Sequence, residues 1–283
     1  MQLCRYDDNK IGVVRDSFVY DVSAVLNELG SSSYPFPTCD ILIKELDRLK
    51  VQIEALAKQS EPMPLSQVRL QVPVANPGKL IAAPVNYLKH LEEARSDATL
   101  HYQNKIEEIQ RVGLFLKATS SMVAAAHGVT IRFPDRRNDH EIELVAVIGK
   151  TADRVTAERA LDYVAGYCIG LDMTVRGPEE RSLRKSIDSY SVLGPWLVTS
   201  DEIADPSGLE LSLSVNGQIR QQTNTRNLVL SVQELIAFAS SYYTLYPGDV
   251  LFTGTPEGVG PVQAGDVIRA KIDKIGEIEV AVR

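Results

Sequence analysis

The stretch Asp139-His140-Glu141-Ile142-Glu143-Leu144-Val145-Ala146-Val147-Ile148-Gly149 ends in a run of branched apolar residues, which suits a buried strand better than a helix. On a strand, alternate side chains point to opposite faces. Glu141 and Glu143 therefore share one face, and Ile142 and Leu144 the other. Two neighbouring carboxylates repel each other unless something positive sits between them. Either the pair lies on a solvated edge, or a cation holds it.

Working outward, a second apolar strand is expected from Ala165 to Val175, interrupted by Asp172. A lone acid in such a strand is expensive to bury unless it is paired or coordinated. Asp172 is thus the natural third oxygen ligand beside Glu141 and Glu143. Three carboxylates without cysteine or a histidine pair select a hard octahedral ion, Mg²⁺ or Mn²⁺, over zinc. Such an ion keeps positions open for water and substrate. Beyond Asp172 the chain turns basic, with Arg176, Arg181, Arg184 and Lys185 set against Glu179 and Glu180. This segment is either a solvated loop or cationic cover for an anionic substrate. Upstream, His90 has a carboxylate three positions on, at Glu93. On a helical turn the two are neighbours, giving either an exposed surface pair or a base oriented by its carboxylate.

The rest of the chain reads as scaffold. Short strands occupy residues 1–20, a short helix runs from Asp21 to a stop at Gly30, and Asp40 caps a helix. That helix carries an apolar stripe at Leu42, Leu46, Leu49, Ile53 and Leu56. Prolines at 62, 64, 73 and 77 mark a linker, so the expectation is a small N-terminal α/β domain over 1–70 and a main domain over 71–283. Within the latter, Lys79–Pro84, Gly113–Ser121 and Val129–Arg132 read as strands. Residues 97–112 read as a helix that is either a lid or an ordinary surface element. Asn216-Gly217 is a hairpin turn after the alternating Leu211, Leu213 and Val215. Ser231-Val232-Gln233-Glu234 is a capping box. The glycines of Gly254-Thr255-Pro256-Glu257-Gly258-Val259-Gly260 let backbone amides approach a ligand, but no helix follows, so dinucleotide binding is excluded. Two further strands, near 267–272 and 278–282, close a chain that is mostly β with short helices, of α+β class.

Composition narrows the function. The 283 residues are 44% hydrophobic and 24% charged, enough for a full core. A net charge of −7 offers no basic field for nucleic acid, although a local cluster or metal can still bind an anion. Cys4, Cys39 and Cys168 are odd in number and lack CxxC spacing. They read as reduced thiols, not a disulfide framework or zinc site. No signal-like leader and no run long enough to span a bilayer is present, and the expectation is a cytoplasmic protein that acts on neither membrane nor nucleic acid.

In order, Asn86-Tyr87 with His90-x-x-Glu93, Phe115-Leu116-Lys117, Glu141-x-Glu143-Leu144, Gly166-Tyr167 to Leu171-Asp172-Met173-Thr174-Val175-Arg176, Leu193-Gly194-Pro195-Trp196 and Gly254-Thr255-Pro256-x-Gly258-Val259-Gly260 resemble the fumarylacetoacetate hydrolase family. The resemblance runs from Lys79 to the C-terminus, and residues 1–70 resemble the family's small N-terminal domain more loosely. It implies a mixed β-sandwich roll, homodimers, and Mg²⁺ or Mn²⁺ on Glu141, Glu143 and Asp172. It also implies a catalytic set of His90, Glu93 and Lys185, with Tyr87, Lys117, Arg176, Gly254 and Thr255 around a small anionic 2-oxo acid. The expected reaction is hydrolysis of a carbon–carbon bond in a 2,4-dioxo acid of the acylpyruvate or fumarylpyruvate kind, as in the breakdown of aromatic compounds. Isomerisation, hydration or decarboxylation on the same site, or a silent metabolite-binding role, are the alternatives. Two features depart from the family pattern. Arg176 is followed by Gly177-Pro178-Glu179 where many members have Arg-Asp, and the 94–112 segment is long.

Overall fold

The Glu141–Ile148 run lies at the centre of the molecule, which is described by a computed structural model over residues 1–32, 34–101 and 107–283. The N-terminal strands are β1 (Gln2–Tyr6), β2 (Lys10–Arg15), β3 (Phe18–Asp21) and β4 (Pro62–Pro64). Then follow β5 (Leu80–Ala82), β6 (Phe115–Lys117), β7 (Met122–Ala124), β8 (Asn138–His140), β9 (Ile142–Ile148), β10 (Val164–Asp172), β11 (Thr174–Val175) and β12 (Ser191–Thr199). The C-terminal strands are β13 (Glu210–Val215), β14 (Gln218–Asn224), β15 (Val250–Phe252), β16 (Gly260–Pro261), β17 (Val267–Ile272) and β18 (Gly276–Ala281). The helices are α1 (Ile41–Gln59), α2 (Leu88–Ser96), α3 (Ala98–His101), α4 (Ile109–Val112), α5 (Arg181–Lys185) and α6 (Val232–Tyr242).

Among the described residues, an 11-stranded sheet runs β4-β3-β2-β1-β12-β10-β9-β15-β5-β6, with β7 also on β12. Smaller sheets run β11-β8-β16 and β14-β13-β17-β18. Strand β9 is flanked on both edges, by β10 and β15. Both of its faces are covered. Ile142, Leu144, Ala146 and Ile148 enter one core, and Val145 and Val147 enter another with Leu42, Leu46, Leu49 and Ile53 of α1. Double burial explains why the run is almost continuously apolar instead of alternating.

Local signals and structure agree at several points. A 3₁₀ turn over Ser23–Leu29 ends at Gly30. The Ser231–Glu234 capping box forms on α6. Asn216 and Gly217 both take positive φ in the β13–β14 turn. Asp40 caps α1: its Oδ1 accepts from the Ile43 N–H (3.1 Å) while Oδ2 accepts from the Ala75 N–H (2.8 Å). Asp40→Ala should therefore cost about 2 kcal/mol, a cap plus a charge-assisted bond. Urea denaturation measures this, and an unchanged midpoint would remove the role assigned to Asp40.

Elsewhere tertiary structure departs from the local reading. The 139–149 stretch is interrupted at Glu141, between β8 and β9, and the 165–175 strand breaks at Met173, between β10 and β11. The 60–79 segment is not purely a linker, because β4 pairs with β3. Strand β1 is hydrogen bonded to β12, so the sheet runs continuously across the expected boundary at residue 70. Val129–Arg132 forms only an isolated bridge, Val129 to Val282. Of the expected helix over 97–112, Asp97 is the C-cap of α2, Ala98–His101 forms α3, Ile109–Val112 forms α4, and the middle, 102–106, lies outside the described residues. The basic segment contains a short helix, α5, where a loop was expected; Glu180 caps it by accepting the Ser182 N–H.

Candidate active site

Strand register brings the three acids together. Glu141 and Glu143 share one side of their strand, Gly170 lies opposite Glu143, and the Asp172 N–H donates to the Glu141 carbonyl (2.9 Å). Asp172 consequently projects on the same side, and carboxylate oxygens of all three lie within 4.8 Å of one another, all buried. Gly170 cannot be larger: a Cβ there would stand 2.4 Å from the Val145 side chain and 2.6 Å from that of Phe252.

Cations surround two of the acids. Lys185 Nζ donates to Glu141 Oε2 and Asp172 Oδ2, each at 2.7 Å, and to Thr174 Oγ1 at 2.6 Å. Arg176 bridges Glu141 Oε1 and Asp139 Oδ2, each at 2.8 Å. Beneath them Lys117 donates to Asp172 and to the Tyr190 carbonyl. Burial alone would raise the Glu141 carboxyl, but Lys185 and Arg176 outweigh it and hold the group well below the usual carboxylate range. Glu143 differs. Among the described residues it has no ion pair, and its hydrogen bond comes from the Gly254 N–H (2.5 Å). Burial, with Asp172 and Glu141 beside it, pushes its carboxyl well above the ordinary value. A buried set of three carboxylates, one of them without an ion pair among the described residues, fits a hard divalent cation.

His90 sits on α2 and is buried at the cavity wall. Its Nδ1 is 2.8 Å from Glu93 Oε2, while Glu93 Oε1 accepts the Gly258 N–H at 3.0 Å. A carboxylate at Nδ1 favours the neutral tautomer that carries its proton there and its lone pair on Nε2. The loop before α2 is fixed by Asn86. Its side-chain amide donates to the carbonyls of Leu230 and Thr253 and its oxygen accepts the Leu230 N–H, all at 2.8 Å. Adjacent Val85 is held at φ 47, a strained backbone for a β-branched residue, and lines the cavity. Gly254 is required nearby, at φ 100 with its Cβ position only 2.6 Å from that of Asn86.

One cavity of about 290 Å³ is lined by His90, Glu141, Glu143, Arg176, Lys185 and Thr255, together with Phe115, Arg181 and Arg184. Tyr87, Lys117 and Gly254 fall behind this wall. Lys117 and Gly254 brace Asp172 and Glu143, and the Tyr87 hydroxyl is buried with no hydrogen-bond partner among the described residues. Sequence reasoning missed three supports. Asp139 holds Arg176 and Arg137. Phe115 forms apolar wall. Gln221 accepts the Ile142 N–H (3.1 Å) and donates to Thr255 Oγ1 (2.8 Å) and the Pro256 carbonyl (2.9 Å), tying the acid strand to the glycine-rich loop. Asp139 lies two residues from Glu141 and Phe115 two residues from Lys117, which is a local signal for both. For Gln221 no local signal exists.

Residues 79–283 match the family model for the fumarylacetoacetate (FAA) hydrolase C-terminal region. The whole chain is 55% identical, over 285 aligned residues and 99% of the relative, to a maleylpyruvate hydrolase of Aquipseudomonas alcaligenes. It is 37% identical to the mitochondrial oxaloacetate tautomerase Fahd2a of Rattus norvegicus, over 81% of this chain and 74% of that one. Among solved structures, the maleylpyruvate hydrolase of Sphingobium sp. SYK-6 in complex with manganese(II) ion and pyruvate superposes with a TM-score of 0.85 at 40% identity, covering 100% of this chain and 98% of that one.

Proposed function

The chain belongs to the fumarylacetoacetate hydrolase family, and from that membership we propose that it cleaves the C3–C4 bond of a 2,4-dioxo acid of the maleylpyruvate kind, giving pyruvate and a carboxylic acid. It is a hydrolase acting on carbon–carbon bonds, and its substrate class is that produced by opening of aromatic rings. The observation that carries the reading is one cavity lined by His90, Glu141 and Glu143, with Glu93 paired to His90 and Asp172 clustered with the two glutamates just behind the wall. Water activation and charge stabilisation therefore act on the same small molecule.

Glu141, Glu143 and Asp172 would hold a Mg²⁺ or Mn²⁺ ion, which when bound would supply Lewis-acid stabilisation of negative charge on the 2-oxo acid. His90 Nε2 takes a proton from water as that water adds to the C4 carbonyl, and Glu93 stabilises the imidazolium that results. Breaking the C3–C4 bond leaves the electron pair on the pyruvate fragment. The proton held by His90 is available to return to C3. Lys185 and Arg176 place positive charge where the oxyanion develops, and both hold Glu141 in position. Thr255 borders the same space, and Lys117 and Gly254 act from behind it. The working form we propose is a cytoplasmic homodimer, in keeping with the family.

Purified protein with Mn²⁺ or Mg²⁺ should release one pyruvate per maleylpyruvate consumed, read by coupling to lactate dehydrogenase. EDTA should stop it and added metal restore it. A tautomerase or isomerase would consume substrate without releasing pyruvate. No pyruvate from maleylpyruvate, fumarylpyruvate or acetylpyruvate would overturn the proposal.

A further inference from the structure

We propose that Arg181 is a specificity-determining residue, which binds a second carboxylate at the end of the substrate remote from the 2-oxo acid. This rests on the reaction proposed above and extends it to the part of the substrate that does not react.

The basic residues around the cavity differ in how they are occupied. Lys185 and Arg176 are taken up by Glu141, Asp172 and Asp139. Arg184 donates to the carbonyls of Glu179 (2.8 Å) and Val175 (3.3 Å). Arg181 lines the same cavity, yet it makes no hydrogen bond or ion pair among the described residues, and its recorded contact is with the ring of Phe115. The nearby carboxylates hydrogen-bond elsewhere, although Glu180 still acts on Arg181 through its charge. Glu179 pairs with Arg136 through both oxygens, at 3.0 and 2.7 Å, and Glu180 turns back onto the Ser182 N–H at 2.6 Å. A guanidinium presents a planar fork of donors matched to a carboxylate. Here that fork is half-buried and unfilled.

Its position follows from the short connection that follows Arg176. Gly177 packs so tightly that a Cβ would stand 1.7 Å from the Arg136 guanidinium, and Arg136 also donates to the Arg176 carbonyl. The chain then enters α5, on which Arg181 and Lys185 are four residues apart and share a face. Both cations rest on one ring: Arg181 Cζ lies 5.5 Å and Lys185 Nζ 5.7 Å from the Phe115 centroid, so they are within about 11 Å of each other. Lys185 marks the end of the cavity where the three acids sit. A seven-carbon dioxo diacid spans about 7 Å between its terminal carboxyl carbons, which lies within that upper limit on the separation of Lys185 and Arg181. Stacking on Phe115 also orders the guanidinium before substrate arrives, so less freedom is lost on binding. An acylpyruvate ending in a methyl group would leave Arg181 without a partner.

The test compares kcat/KM for maleylpyruvate and for acetylpyruvate in wild type, Arg181→Met and Arg181→Lys. The ratio of the two values should fall at least 30-fold in Arg181→Met, mainly through KM for the diacid, with Arg181→Lys in between. Maleate, the remote product, should inhibit wild type competitively and lose the same factor in Arg181→Met. A ratio that stays within twofold of wild type, whether both substrates fall together or neither does, would overturn the assignment while leaving the hydrolase reading intact. Wild-type protein that releases pyruvate from neither substrate would overturn both.

Discussion

Glu143→Ala should abolish divalent-ion binding and, with it, turnover. Glu143 is the member of the acid cluster with no ion pair among the described residues, fixed by the Gly254 N–H and raised above the ordinary carboxylate range by burial and by Asp172 and Glu141. An ion between the three acids relieves that repulsion, so its removal takes away both a ligand and the strongest electrostatic demand for the ion. The expected loss in Mn²⁺ affinity is more than about 100-fold, beyond the range typical of losing an outer-shell partner. The metal-free variant should still fold, because deleting a buried acid beside two like charges offsets part of the void it leaves. Calorimetric Mn²⁺ titration of the folded variant is decisive. Wild-type affinity would remove Glu143 from the ligand set.

His90→Ala should separate the two halves of the site. Metal affinity should stay within about twofold of wild type, whereas kcat falls by a factor of about 10²–10⁴, the range for losing a positioned general base. Glu93→Gln should fall between wild type and His90→Ala, since the imidazole remains but loses the charge that orients it and stabilises its protonated form. Gly258 makes the comparison informative: its N–H holds one Glu93 oxygen, so a Gln that keeps that bond turns its NH2 toward Nδ1 and favours the tautomer with the proton on Nε2. Steady-state kinetics at saturating Mn²⁺ reads the effect. Unimpaired turnover by His90→Ala would exclude His90 as the base.

The contrast expected in metal affinity between these two variants traces back to how each group is held. His90 and Glu93 pair through a single helical turn, so their relationship was readable from spacing. Glu141 and Glu143 share a face by the period of a strand. Asp172 could be placed beside them because an acid in an apolar strand needs a partner. In each instance the relation runs over a few residues, or follows from the cost of burying a charge. The same holds for the Asp40 cap, the Ser231–Glu234 box and the Asn216-Gly217 turn.

What was not legible depends on which distant strands become neighbours. Lys185 reaches Glu141 and Asp172, Arg176 reaches Asp139, and Lys117 passes under Asp172. No periodicity specifies such partners. Five residues of α5 are too few to carry a helical pattern, so Arg181–Lys185 reads as loop until its packing on Phe115 is seen. Gln221 lies in an exposed-looking hairpin, and its side chain becomes a bracket only because that hairpin folds over the acid strand.

By itself, then, the sequence determined a sheet-rich chain, a triad of buried acids and a histidine–carboxylate pair, because those features are local or are forced by desolvation. Tertiary structure alone decided which cations pair with Glu141 and Asp172, which acid has no ion pair among the described residues, and which arginine faces the cavity. The physical reason is that a buried charge must have a partner, but its identity is chosen by strand order and register across the whole sheet.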